Sequence, residues 1–250
     1  MDTLNPNNSP IFIISHKYFR GYESYLKYYV GNIRLFYPGS RIIIVDNNSL
    51  HAEDIFSTIE KDDDIMFLTN DIECKFELGA YQVGIRYLLE QNWFYEYVVM
   101  VQDTFVVKNK FDFNQLSTNN VKACTINSFY QDGSEAHTCM EVLTNLGLYD
   151  NLDKVTFCWC NSFIVHKEKI QQLYEYLKKI VITVRSQSCA SERYLARILW
   201  ELNDHKNYDI DGDRRDLHIK YDCHNVNMYD NVNSFFVKRA QHKNETTIDK

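Results

Sequence analysis

Three short runs of apolar residues constrain the fold of this chain most strongly. They are IFII at 11–14, RIIIV at 41–45 and YVVMV at 97–101. Continuous runs rich in β-branched residues are typical of strands that are buried on both faces of a sheet. Between the first two runs, apolar and aromatic residues recur at the spacing of an amphipathic helix. This alternation predicts an α/β fold with a mostly parallel central sheet and helices on both faces.

The remaining chain continues the alternation less regularly. The expected helices are 51–60, 80–90, 168–179 and 191–202, and the expected further strands are 65–68, 105–107, 121–126 and 163–165. No linker rich in Pro or Gly and no repeat divides the chain. We therefore expect a single domain over residues 1–250, with a flexible N-terminus at 1–9 and a basic C-terminal tail at 235–250.

The charge of the chain disfavours one class of partner. The formal net charge is -7, whereas a broad nucleic-acid surface needs clustered Lys and Arg to neutralise phosphates. The apolar runs are also far shorter than the roughly 20 residues of a membrane helix, and the polar N-terminus lacks the features of a signal peptide. We expect no nucleic-acid partner, no membrane span and a cytoplasmic location, which would be the host cytoplasm if the source is viral.

The cysteines point to a reducing compartment. Their number, seven, is odd, and their positions are scattered, so the sequence shows no obvious disulfide framework. Cys158 and Cys160 are separated by one residue, which is too close for a zinc knuckle. If they belong to a strand, alternation places both sulfurs on one face, and buried structural thiols are expected rather than metal ligands.

Two acids end core strands. Asp46 follows the second apolar run and Asp103 follows the third, each within a polar segment that favours a turn. Ligands bind beyond the carboxyl ends of parallel strands, so these positions predict a ligand site. The sequence lacks the phosphate-binding strings G-x-G-x-x-G and G-x-x-x-x-G-K-[ST], and it also lacks H-E-x-x-H and G-x-S-x-G. Dehydrogenase, P-loop, zinc peptidase and α/β-hydrolase functions are therefore disfavoured.

Three segments, IIIVDNNS, FELGAYQVGIRYL and YVVMVQDTFVV, follow one another in this order. Together they resemble the GT-A glycosyltransferases, particularly the broad group related to family 2, over roughly residues 10–110. The GAY and QDT strings are also loosely similar to transferases of rhamnan-type polysaccharide synthesis. The resemblance implies a GT-A, Rossmann-like fold that binds a nucleoside-diphosphate sugar as donor.

The resemblance also assigns donor-site residues. Asp46, with Asn47 beside it, would contact the base or ribose of the nucleotide. The residues expected to line the nucleotide pocket are Gly79, Ala80 and Tyr81.

The QDT string takes the place of the metal-binding Asp-x-Asp of the family. Gln102 would contact the donor, and Asp103 is the one acid that could ligate Mn²⁺ or Mg²⁺. Water and the diphosphate can supply the other hard oxygen ligands of such a cation. The resemblance therefore implies a divalent cation held by an incomplete motif.

Further residues are assigned by the same resemblance. Trp159 and Asn161 would contact the acceptor, and Glu192 would be the general base of an inverting enzyme. Lys238 and His242 of the basic tail would contact the diphosphate. A retaining enzyme would not use Glu192 in this way.

Each assignment has a structural alternative. A strand-terminal acid such as Asp46 often only caps a turn, and Glu192 could be an acid favoured by a helix dipole. The histidines His166, His218 and His224 are more often packing or surface residues than metal ligands.

The leading expectation is an enzyme that transfers a sugar from a nucleoside-diphosphate sugar to a hydroxyl of a glycan or protein. Two alternatives stay open. One is a nucleotidyltransferase that forms the activated sugar, and the other is a catalytically degenerate fold that binds glycans. The first would need a basic, Gly-rich loop after the first strand, where the sequence reads SHKYFRGYE.

Overall fold

The computed structural model describes residues 9–17, 23–50, 52–57, 59, 62–107, 109–111, 113, 116, 121–126, 133–150, 157–206 and 236–238. The strands are β1 (Ile11–His16), β2 (Ile42–Asp46), β3 (Ile65–Thr69), β4 (Tyr97–Gln102), β5 (Phe105–Val107), β6 (Val121–Ile126), β7 (Phe157–His166) and β8 (Phe236–Lys238). The helices are α1 (Glu23–Phe36), α2 (Ala52–Phe56), α3 (Phe76–Glu90), α4 (Gly133–Leu146), α5 (Lys167–Leu177) and α6 (Arg185–Leu202).

Six strands form one sheet in the order β3-β2-β1-β4-β7-β6. Strands β3, β2, β1 and β4 are parallel, whereas β7 runs antiparallel to both of its neighbours, β4 and β6. The α/β fold is confirmed, but the prediction of a mostly parallel sheet is wrong, because the sheet is mixed. An apolar run has the same pattern in either direction, so the sequence pattern does not reveal that β7 is reversed.

Helices cover both faces of the sheet, as predicted. On one face, α1 packs Leu26, Val30 and Ile33 against even-numbered strand residues such as Phe12 and Ile14. On the other face, odd-numbered residues of β1 join a larger apolar cluster to which α3, α4, α5 and α6 all contribute. Burying apolar area at about 25 cal/mol per Å² is the main force that holds such layers together.

Several element boundaries differ from those predicted. Helix α3 begins at Phe76 rather than 80, so Gly79, which was expected just before the helix, lies inside it. Helix α6 begins at Arg185 rather than 191, so Glu192 lies in the interior of this helix. The Gln187 side chain accepts backbone N–H groups of Thr183 and Val184 at 2.9 and 3.3 Å and stabilises this earlier start.

The two closely spaced cysteines lie in a longer strand than expected. Strand β7 contains both Cys158 and Cys160, and both side chains are buried. They do not share a face, because Cys158 belongs to the cluster of α3, α5 and α6 and Cys160 to that of α1. Cys160 and Asn161 have φ values of 52° and 51°, and these left-handed residues break the strand alternation on which the prediction relied.

Within the described ranges, no helix is both long and apolar enough to cross a membrane.

Candidate functional site

The strand order reverses between β1 and β4. The chain runs from β1 outward to β2 and β3, and then crosses β1 to place β4 on its other side. In open α/β sheets a crevice for ligands forms at such a point, beyond the carboxyl ends of the strands. Here β1 ends at His16 and β4 at Gln102. The backbone N–H of Asp103 donates to Ser15 O at 3.0 Å, which joins the two strand ends.

Asp103 lies at this point of reversal. Its Oδ2 accepts a hydrogen bond from His16 Nδ1 at 2.8 Å and another from the backbone N–H of Lys17 at 3.1 Å. The side chain is 16% exposed, so it is accessible at the edge of the sheet. Both of these contacts fall on Oδ2, which leaves Oδ1 as the atom that could meet a ligand.

His16 is a site residue that sequence reasoning missed. It is the last residue of β1, pairs in register with Asp46 of β2, and is only 4% exposed. Its ring is fixed by Asp103, while its Nε2 is buried without a hydrogen-bond partner. A histidine at the same strand-end position as the two acids was the signal that could have indicated it.

A divalent cation at Asp103 would have few protein ligands. Among the side chains that the structure describes, no three or more His, Cys, Asp or Glu residues are grouped to hold a metal. Mg²⁺ usually keeps several waters and uses one or two carboxylates together with substrate phosphates. Asp103 Oδ1 fits that limited role.

Asp46 forms a turn at the end of β2. The residue is fully buried, and its two carboxylate oxygens accept hydrogen bonds from the Ser49 backbone N–H at 2.6 Å and the Ser49 hydroxyl at 2.7 Å. Asn48 between them has a φ of 53°, a left-handed conformation that Asn tolerates. The geometry is that of a capped turn, and contact of Asp46 with a nucleotide stays a prediction.

Asn47 links the ends of three strands. Its Nδ2 donates to Ser15 Oγ at 3.1 Å and to His16 O at 3.2 Å. Its Oδ1 accepts from Asn70 Nδ2 at 3.0 Å, and Asn70 follows β3 directly. Asn47 is partly exposed, so it reaches the edge of the sheet where Asp46 does not.

The predicted Gly-Ala-Tyr segment packs beneath this edge. A Cβ atom on Gly79 would lie 2.0 Å from Cys74 O and 2.6 Å from Asn70 Nδ2, so the glycine permits close approach to the protein's own loop. Ala80 and Tyr81 are fully buried. Burial raises the pKa of the Tyr81 phenol, with a smaller contribution from Glu77, and its hydroxyl donates to Asn161 O at 2.9 Å.

Gln102 connects the edge to two helices. Its Nε2 donates to Glu77 Oε1 of α3 at 2.6 Å, and Glu77 Oε2 accepts from Ser188 Oγ of α6 at 3.0 Å. Sequence reasoning missed Glu77 and Ser188, because only the packing of α3 and α6 brings them to Gln102. The three residues form a polar layer on the face opposite His16.

Glu192 lies beside the start of β7. Its Oε1 accepts the backbone N–H of Cys160 at 3.0 Å. On the next residue, the Asn161 amide nitrogen donates to Ser191 Oγ at 2.8 Å. Because β7 is antiparallel, its first residues lie at the same edge as the ends of β1 and β4. Trp159 belongs to β7, but its side chain lies outside the described residues.

The C-terminal segment returns to this region. Strand β8 pairs antiparallel with β5, and Lys238 is in register with Phe105, two residues after Asp103. The backbone of the basic tail is thus close to the candidate site. The Lys238 side chain and all of His242 lie outside the described residues.

His166 is remote from the site. It pairs with Tyr97 at the start of β4, which is the opposite edge of the sheet. Its Nδ1 accepts the Glu168 backbone N–H at 3.3 Å and caps α5. Burial lowers its pKa, so the neutral ring that this cap requires is favoured. His218 and His224 lie outside the described residues.

The structure therefore brings Asn47, Gln102, Asp103, Asn161 and Glu192 to one edge of the sheet. His16 and Glu77 also lie at this edge, whereas Asp46 is buried below it. No protein-family model matches the chain, and no curated protein matches it either.

Proposed function

We propose that this protein is a glycosyltransferase of the GT-A type that transfers a sugar from a nucleoside-diphosphate sugar to a hydroxyl of a glycan or protein. The observation that carries the proposal is the polar edge formed where the strand order reverses, with Asp103 at its centre. This edge supplies the carboxylates of Asp103 and Glu192, several amide groups and the backbone of a basic tail. These groups suit a polar ligand that contains a diphosphate.

In the proposed reaction, Glu192 takes the proton of the acceptor hydroxyl. The acceptor oxygen then bonds to the anomeric carbon, while the bond from that carbon to the diphosphate breaks and its electron pair leaves with the nucleoside diphosphate. The Cys160 N–H orients Glu192 by donating to Oε1. A divalent cation held by Asp103 would offset charge on the diphosphate, and Lys238 and His242 would contact the same group.

We also propose that the protein resides in a reducing, cytoplasmic compartment. This location is supported by Cys74, Cys139, Cys158, Cys160 and Cys189, which are all thiols in the structure.

Calorimetric titration with UDP, GDP and dTDP in the presence of Mn²⁺ tests the proposal. We expect one of them to bind, and Asp103→Ala to weaken that binding at least tenfold, because a carboxylate near a bound cation and diphosphate is lost. Glu175→Ala is the control, since the Glu175 side chain on α5 is 46% exposed and forms an ion pair with its neighbour Lys178, away from the ends of β1 and β4. Failure of all three nucleotides to bind the wild-type protein would exclude a donor site.

A second candidate function is glycan binding without catalysis. It is favoured by the engagement of Asp46 with Ser49 and of Asp103 Oδ2 with His16, which leaves few carboxylate atoms for chemistry. Release of nucleoside diphosphate from a donor sugar by the purified protein would reject this candidate.

A further inference from the structure

Lys17 follows β1 directly, at the edge of the sheet where the strand order reverses. The residue is partly buried. Within the described part of the chain, its ammonium group donates one hydrogen bond, to the backbone oxygen of Asn47 at 3.4 Å. That distance is longer than the usual range for such a bond. Since a lysine ammonium carries three donors and a full positive charge, a single neutral carbonyl at this distance compensates it poorly.

The acids at the neighbouring strand ends contact other groups than this ammonium. Asp103 Oδ2 lies 2.8 Å from His16 Nδ1 and accepts the backbone N–H of Lys17 at 3.1 Å. Both carboxylate oxygens of Asp46 accept from Ser49. Lys17 takes part in none of the ion pairs between described residues. A partly buried charge without a charged partner costs free energy, so an anionic ligand would stabilise it.

A phosphate group fits the chemistry of this position. The chain has a formal net charge of -7, and the Asp103 carboxylate beside Lys17 would repel an approaching phosphate. A positive charge next to Asp103 offsets that repulsion. Lysine is a compact point charge on a flexible stem and commonly binds phosphate in this way. The ammonium of Lys17 can therefore hold a phosphate close to a carboxylate.

The strand order fixes where Lys17 stands along the site. The strands run β2-β1-β4-β7, with neighbours about 4.8 Å apart. Asn47 follows β2 and accepts from the Lys17 ammonium, so this charge lies on the side expected to hold the nucleoside. Asp103 follows β4, one strand further along. Glu192, which contacts Cys160 of β7, comes last, on the side where the anomeric carbon would react.

We propose that the Lys17 ammonium binds the α-phosphate of the donor, which is attached to the ribose, whereas Asp103 and its cation bind the β-phosphate, which is attached to the transferred sugar. This assignment rests on the proposed function, because it takes the ligand to be a nucleoside-diphosphate sugar. It also complements the incomplete metal motif, since one of the two phosphates is held without the cation. A nucleoside monophosphate should therefore bind in the absence of any divalent metal.

Calorimetric titration in EDTA, which removes divalent cations, tests the α-phosphate contact. We expect wild-type protein to bind UMP, GMP or dTMP, according to the base that it recognises, about tenfold more tightly than the corresponding nucleoside. Lys17→Met keeps the apolar stem but removes the charge. It should bind the monophosphate about tenfold more weakly than wild type and the nucleoside equally well. Lys17→Arg, which keeps the charge, should retain the preference for the monophosphate.

Titration with Mn²⁺ present distinguishes the two phosphates. Asp103→Ala should weaken binding of the nucleoside diphosphate but not of the monophosphate, because it removes the contact to the β-phosphate alone. Lys17→Met should weaken binding of both by the same factor. A purely structural role for Lys17, through its bond to Asn47, would instead lower affinity for the nucleoside as much as for its phosphates, and this result would overturn the inference.

Lys169→Met is the matched control, because it removes the same charge from another partly buried lysine. Lys169 lies on α5 and pairs with Asp204 at 3.8 Å, and α5 begins directly after His166 at the opposite edge of the sheet. Its affinity for the nucleoside and for both phosphates should equal that of wild type. A loss as large as that of Lys17→Met would show an effect of net charge alone and would contradict a contact at Lys17.

The outcomes separate this inference from the proposed function. Undiminished binding of the monophosphate by Lys17→Met, with diphosphate binding that still depends on Asp103, overturns the inference while the proposed function stands. Binding of inorganic pyrophosphate but of no nucleotide, with loss of pyrophosphate in Lys17→Met, overturns the proposed function and supports an anion site at Lys17. Binding of neither pyrophosphate nor any nucleotide by wild-type protein overturns both.

Discussion

Replacement of Gly79 by alanine lowers the free energy of unfolding by about 3 kcal/mol, a value at the upper end for overpacking a core. The added Cβ would lie 2.0 Å from Cys74 O, and a backbone carbonyl cannot turn away as a flexible side chain can. That carbonyl is further held by Asn70 Nδ2, which donates to it at 2.9 Å. Helix α3 or the loop before it must therefore shift.

Urea unfolding measures this effect, and Gly31→Ala is its matched control. Gly31 lies within α1, and a Cβ atom added there meets nothing within 4 Å. Alanine is favoured over glycine inside a helix by roughly 0.5–1 kcal/mol, so this variant should be more stable than wild type. Equal stabilities of the two variants would contradict the packing role of Gly79.

The same change should also weaken nucleotide binding. Asn70, which contacts the Cys74 carbonyl, donates to Asn47 Oδ1 at 3.0 Å. Asn47 in turn donates to Ser15 Oγ at 3.1 Å at the end of β1. A shift of the loop is thus transmitted to the edge of the sheet where the donor is proposed to bind.

Glu192→Gln lowers the rate of donor turnover by about 10²–10⁴-fold, the usual contribution of a general base. Gln keeps an oxygen that can accept the Cys160 N–H, which Glu192 now accepts at 3.0 Å, but it cannot take a proton. Donor affinity should therefore be unchanged. The measurement is release of nucleoside diphosphate from the donor with water as acceptor, with affinity determined separately by calorimetry.

Glu201→Gln is the matched control for this prediction. Glu201 also lies on α6, but it pairs with Arg197 at 2.7 Å and with His205 at 3.0 Å, away from the candidate site. Its turnover should equal that of wild type. A turnover of Glu192→Gln close to wild type, with normal folding, would exclude Glu192 as the base.

Local sequence patterns predicted the central strands well. The runs within β1, β2 and β4 are β-branched or apolar throughout, and those of β2 and β4 are followed by polar residues that favour turns, so neighbouring residues alone indicate these strands. Asp103 and Asn47 could be assigned to the carboxyl edge for the same reason. For Asp46 the sequence was compatible with both a ligand contact and a capped turn. It could not show which of the two occurs, because the burial of Asp46 depends on whether Ser49 folds back onto the carboxylate.

Features that depend on distant residues could not be predicted in this way. The reversal of β7 depends on how the chain crosses the sheet. The contact of Glu77 with Gln102 depends on how α3 packs over β1 and β2. His16 stood at a strand end, but its importance comes from Asp103, 87 residues later. The paired left-handed residues Cys160 and Asn161 likewise interrupt a pattern that appears regular in sequence.

A crystal structure of the protein soaked with its nucleotide and Mn²⁺ would show directly whether the donor binds at this edge of the sheet. We expect a diphosphate beyond the ends of β1 and β4, with Asp103 nearest to the cation and the backbone of β8 beside the phosphates. A nucleotide bound elsewhere on the protein, with Asp103 still contacting only His16 and Lys17, would contradict it.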